Sequence, residues 1–148
     1  MPYAAPLEEM RFVLDTLAPP DGAVERDVAD AILAEAARFA AAELDPLNQP
    51  ADRVGSVLEN GIVRTPPGFR EAYRRYVEAG WMGLQCDPDY GGQGLPKLIN
   101  FAVEEMICSA NLSFGMYPGL SNGNYNAIHA HGRWQGVPGS VLIPLQAL

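Results

Sequence analysis

The sequence predicts an all-α bundle, and three observations carry that reading. Apolar residues recur at spacings of three and four over most of the 148 residues. No segment sustains the alternation of a half-buried strand, and no repeat of solenoid length is present. Prolines and glycines mark the places where one periodic stretch gives way to the next.

After an extended lead-in over Tyr3–Pro6, Leu7, Met10, Leu14 and Leu17 trace a short amphipathic helix that Pro19 and Pro20 stop. A long helix over Ala23–Leu44 follows, with Val28, Ile32, Ala36, Phe39 and Glu43 down one side and Glu25 and Asp27 at its positive end. Asp45–Thr65 is polar and broken by Pro46, Pro50, Gly55 and Gly61, which predicts a surface connection. Thr65-Pro66 reads as the cap and first turn of a helix whose Phe69, Ala72, Tyr73, Tyr76 and Val77 form a stripe ending at Gly80. Trp81–Leu84 steps into a tight loop, Asp87–Gly94, where glycines take dihedrals closed to other residues. Pro96 opens a helix reaching Ala110, with Ile99, Ala102, Val103, Met106 and Ile107 inward and Lys97, Asn100 and Glu104 outward. Asn111–Gly132 is rich in glycine yet carries Leu112, Phe114, Met116, Tyr117, Leu120, Tyr125 and Ile128, which predicts helix in pieces.

A chain of this length suits one domain with a single core. Apolar residues at 48% against 19% charged fit a packed globule. Ten basic and eighteen acidic side chains leave a net charge of −8, which repels a phosphate backbone and argues against nucleic acid as a partner. A coenzyme A ester needs only a local basic patch and is not excluded. Cys86 and Cys108 lack the density of a disulfide framework and the spacing of a zinc site, and each reads as a small buried hydrophobe. No leader peptide and no run of ~20 apolar residues is visible, so a cytoplasmic protein without a membrane segment is expected.

Gly91-Gly92-Gln93-Gly94 invites a phosphate-loop reading, but it matches neither dinucleotide nor P-loop spacing, and a structural turn is preferred. Glu104 and Glu105 diverge by about 100° on a helix, so they predict a solvated face plus one carboxylate at the core edge. His129 and His131 point apart and lack a third ligand, so no metal site is expected. No serine, cysteine or lysine stands in the context of an activated nucleophile, and no catalytic residue is assigned.

Taken in order, the helix ending at Ala42-Glu43-Leu44-Asp45-Pro46, then Glu78-Ala79-Gly80-Trp81-Met82-Gly83-Leu84, Asp87-Pro88-Asp89-Tyr90-Gly91-Gly92-Gln93-Gly94-Leu95 and Glu104-Glu105-Met106 resemble the N-terminal helical domain of the acyl-CoA dehydrogenases. The likeness covers Ala23–Gly132. The lead-in Tyr3–Leu14 is similar to an extension in the branch of that family that includes 3-methylmercaptopropionyl-CoA dehydrogenase. The resemblance divides the chain into an extension over 1–22, the helical domain over 23–132 and a tail over 133–148 whose character changes abruptly, as after a shifted reading frame or an artificial boundary. That tail is expected to be unstructured.

The resemblance implies α,β-dehydrogenation of an acyl-CoA thioester, with FAD between a central β-domain and a C-terminal helical domain that supplies the catalytic glutamate. The chain is therefore expected to stop before the flavin-binding parts, to be inactive and flavin-free alone, and to come from a homo-oligomeric parent. An acyl-CoA oxidase shares the same architecture. Within the helical domain the resemblance carries the acyl-pocket wall onto Phe114, Pro118 and Asn122, four apart on one side of a helix. The alternative from the residues alone is a core phenylalanine, a proline starting a turn and a capping asparagine. A free-standing helical binding module without catalysis is the competing reading of the whole chain.

Overall fold

The computed structural model describes residues 2–16 and 24–131. Six α-helices build the bundle: α1 (Leu7–Thr16), α2 (Arg26–Phe39), α3 (Asp45–Val54), α4 (Phe69–Glu78), α5 (Lys97–Ala110) and α6 (Leu112–His131). A π-helical turn, Ala40–Leu44, joins α2 to α3 without a break, and a hairpin of β1 (Val57–Glu59) and β2 (Ile62–Arg64) follows. The fold is all-α as predicted. Leu17, Pro19 and Pro20, the tail from 133 to 148 and the side chain of His131 lie outside the described residues.

The core runs between α2, α4, α5 and α6 and is filled by Leu33, Leu44, Tyr76, Ile99, Val103, Met106 and Phe114, each almost wholly buried. α1 belongs to it as well. Met10 and Leu14 are buried, Arg11 Nε donates to Asp30 on α2 at 2.7 Å, and the Tyr3 amide donates to Asp45 at 3.0 Å.

Four local readings are corrected. On α2 the inward residues are Ala29, Leu33, Ala36 and Phe39, continued by Ala40 and Leu44, whereas Val28 is exposed and Ile32 half-buried. The two arcs are neighbours on the helix, and the small alanines of the buried one let α5 approach closely. Asp45–Val54 is helix rather than loop. Pro46 stands in its first turn, where its missing N–H is not needed, and buried Ala51 and half-buried Leu47 hold the segment past Pro50. α4 begins at Phe69, later than Thr65-Pro66 suggested, because Gly68 turns the chain in a left-handed conformation (φ 87°) against Leu47.

The fourth correction concerns α6, which is one continuous helix through Pro118. Its inward side, Phe114, Gly115, Pro118, Asn122 and Tyr125, is buried from Phe114 to Tyr125, and that packing outweighs the lost backbone hydrogen bond and the low helix propensity of its glycines. Asn111 sets its start. The Phe114 amide donates to Asn111 Oδ1 at 3.0 Å, while Asn111 Nδ2 donates to the Leu44 carbonyl at 3.2 Å across the bundle. Asn111→Ala is expected to cost about 1–2 kcal/mol, because it removes the cap and the buried hydrogen bond that ties the start of α6 to the Leu44 carbonyl. Urea unfolding followed by circular dichroism measures this, and a loss below ~0.5 kcal/mol would contradict it.

Candidate functional site

The loop between α4 and α5 folds back on itself. Gly92 N–H donates to the Asp87 carbonyl, Gln93 N–H to Gly83, Gly94 N–H to Cys86 and Leu95 N–H to Leu84, at 2.8–3.1 Å. Those amides are spent within the loop, so they are not aimed at a phosphate, and the structural-turn reading holds. Gly92 fits against Cys86 so closely that a Cβ there would lie 2.0 Å from the Cys86 carbonyl oxygen. The Asp87 amide also donates to the Tyr125 hydroxyl at 2.8 Å, tying the loop to α6.

Phe114, Pro118 and Asn122 do share one side of α6, as their spacing predicted, and that side faces the interior. Phe114 is fully buried, edge-on to Phe69 and Tyr76 with ring centroids 5.9 Å apart in both cases. Pro118 starts no new turn and Asn122 caps none. Asn122 Nδ2 instead donates to Glu104 Oε1 at 2.7 Å, and Asn100 Nδ2 donates to the same oxygen at 2.9 Å. Asn100 and Glu104, expected outward, are thus drawn to the seam between α5 and α6. Asn100 is buried and Glu104 half-buried, while Glu105 is exposed, so the pair does supply one core-edge carboxylate. The outward side of α6 shows Leu112, Met116 and Leu120, again four apart and exposed.

Sequence reasoning named Asn122 but foresaw the partners of none of the three buried asparagines, Asn100, Asn111 and Asn122, since an isolated asparagine gives no sign of which carbonyl or carboxylate it will meet. It also missed the buried Trp81 indole N–H, which has no acceptor among the described residues.

Nucleophilic and metal chemistry find no support among the described residues. Burial pushes the Cys86 thiol up, and burial followed by the Glu104 carboxylate does the same to Cys108, which keeps both in the unreactive form. The two cysteines are free, and the described residues contain no group of three metal-ligating side chains. His129 stacks on Tyr125 and lies 3.8 Å from Asp87.

Nor do the described residues fit a flavin dinucleotide. The two tighter cavities hold about 100 and 170 Å³, below the ~300–1,000 Å³ usual for cofactor sites. The larger groove beside α2, about 580 Å³, is lined by Asp27 and Glu35 with Val28, Ile32 and Trp81, and its carboxylates would repel a pyrophosphate. Arg11, Arg26, Arg38, Arg64, Arg74 and Arg75 are all engaged with carboxylates of the chain itself.

Residues 26–135 match the family pattern for the acyl-CoA dehydrogenase N-terminal domain. The chain belongs to that family. Over 140 residues this acyl-CoA dehydrogenase domain is 37% identical to 3-methylmercaptopropionyl-CoA dehydrogenase of Ruegeria pomeroyi, covering 89% of the chain and 24% of the relative. Over 98 residues it is 32% identical to the broad-specificity linear acyl-CoA dehydrogenase FadE5 of Mycobacterium tuberculosis, covering 65% of the chain and 16% of the relative. The chain thus spans a quarter or less of the curated relatives it matches. No helix among the described residues is long and apolar enough to cross a membrane.

Proposed function

We propose that this domain serves a cytoplasmic, homo-oligomeric, FAD-dependent enzyme that removes hydrogens from the α and β carbons of an acyl-CoA thioester. The observation that carries this reading is the family match over 26–135. FAD and the catalytic base belong to other parts of such an enzyme, in keeping with the poor fit of the described residues to a flavin. The domain contributes a wall beside the acyl chain, excluding water and holding the substrate in place. Phe114, Pro118 and Asn122 shape that wall from within α6, and the Leu112–Met116–Leu120 ridge is the apolar surface it offers outward. An extension over 1–22, the domain proper over 23–132 and a separate tail over 133–148 complete the proposed organisation.

Two measurements test this. The purified chain is expected to be colourless, and a stoichiometric flavin absorbance near the visible blue would overturn the placement of FAD outside it. Grafted in place of the matching stretch of the Ruegeria pomeroyi enzyme, the chain should support acyl-CoA-dependent dye reduction. In that chimaera Phe114→Leu should change the ranking of kcat/KM across acyl lengths by a few-fold with flavin content intact. An unchanged ranking would remove Phe114 from the wall.

A further inference from the structure

We propose that Asn60 is a site of spontaneous covalent modification, where the Asn60–Gly61 linkage rearranges to isoaspartate and so becomes a substrate for an enzyme that methylates isoaspartyl carboxylates. The sequence contains two Asn-Gly pairs, Asn60-Gly61 and Asn122-Gly123. The group that attacks an asparagine side chain is the backbone nitrogen of the next residue, and a glycine there leaves that nitrogen unshielded. The fold gives the two pairs opposite surroundings.

Asn60 and Gly61 form the two-residue turn between β1 and β2, both left-handed, with φ of 51° and 77°. Every residue from Ser56 to Thr65 is exposed, so no helix covers the hairpin. Apart from its chain neighbours, nothing lies within 4 Å of where a Gly61 Cβ would stand. Each strand is three residues long, and a ribbon of that size is marginal in water, so the turn opens at little cost to align nitrogen and side chain. Asn122 and Gly123 lie within α6 instead, where the helical ladder fixes the backbone. Asn122 is 5% exposed, and its Nδ2 donates to Glu104 Oε1 at 2.7 Å, so attack there requires the α5–α6 seam to part.

In the reaction the Gly61 amide gives its proton to hydroxide and its nitrogen bonds to Asn60 Cγ, closing an imide ring. The Cγ–Nδ2 bond breaks, and Nδ2 leaves as ammonia with a proton from water. Water then opens the ring. Cleavage at Cγ gives ordinary aspartate, and cleavage at the Asn60 backbone carbonyl leaves the chain running through Cγ as isoaspartate. No oxidation or reduction is involved. Either product sets a new carboxylate beside Glu59, and isoaspartate lengthens the backbone path within the turn that fixes the Glu59–Ile62 register.

The test incubates the full chain at mildly alkaline pH, folded and in urea, then digests it with trypsin, which releases Asn60 within residues 54–64 and Asn122 within residues 98–133. Mass spectrometry with fragmentation follows the replacement of NH2 by OH at each asparagine. Isoaspartate methyltransferase with labelled S-adenosylmethionine counts the isoaspartate. In the folded chain Asn60 is expected to convert at least about tenfold faster than Asn122, and in urea the two rates should converge. Asn60→Gln, which enlarges the ring that must close, should remove the methyl label from the folded chain and leave its helical circular dichroism and Tm unchanged. Equal rates in the folded chain, an Asn122 that converts first, a rate difference that persists in urea, or methyl label retained in Asn60→Gln would each overturn the proposal. None of these outcomes depends on the acyl-CoA reading.

Discussion

Replacing Phe114 by alanine is expected to remove about 3–5 kcal/mol of stability, the range for deleting a buried aromatic ring. The ring has no exposed surface and stands among Phe69, Tyr73 and Tyr76, so α4 and α6 meet through it. Those rings contact it in edge-on and tilted arrangements, which adds to the simple burial of area. The surroundings cannot close over the vacancy easily, because Asn111 and Asn122 tether α6 to Leu44 and Glu104 on either side of it. Urea unfolding measures the loss, and a change under ~1 kcal/mol would show that the α4–α6 seam is not packed as described. Phe114→Leu keeps most of the volume and is expected to cost much less, which is why it is the variant chosen for the acyl-length comparison.

Gly92→Ala is expected to be comparably damaging, about 3 kcal/mol, for a different reason. The added Cβ would meet the backbone oxygen and carbon of Cys86 at 2.0 and 2.2 Å, and neither atom can rotate away as a side chain would. Relief requires the loop to open, which breaks the ladder from Gly92, Gln93 and Gly94 to Asp87, Gly83 and Cys86 and displaces Asp87 from Tyr125. Gly123→Ala is the matched control. That glycine is helical and exposed with nothing near its Cβ, so alanine should leave stability unchanged or raise it by up to ~1 kcal/mol. Thermal melts of the two variants side by side decide the matter, and equal Tm values would refute the close approach of Gly92 to Cys86.

Periodicity located the helices best where the whole apolar stripe faces one partner. The α5 stripe of Ile99, Ala102, Val103, Met106 and Ile107 and the α4 stripe of Phe69, Ala72 and Tyr76 were legible because burial follows the helical repeat there. The glycine loop was legible too, because left-handed turns demand that residue. The hairpin could have been read from Asn60-Gly61, both with positive φ, flanked by Val57-Leu58 and Ile62-Val63, a short-range signal outweighed by the polar look of the segment.

By itself the sequence determined the all-helical class, the family and the places of α1, α2, α4 and α5, because these rest on local repeats and on motifs contiguous in the chain. Only the tertiary structure decided which arc of α2 is buried, that α6 runs unbroken through Pro118, and that Asn100 and Asn122 converge on Glu104. Each of those outcomes depends on residues far apart in sequence. Continuous burial of the inward side of α6 offsets what Pro118 costs locally, and an asparagine's amide acquires a role only when another helix brings a carboxylate within reach.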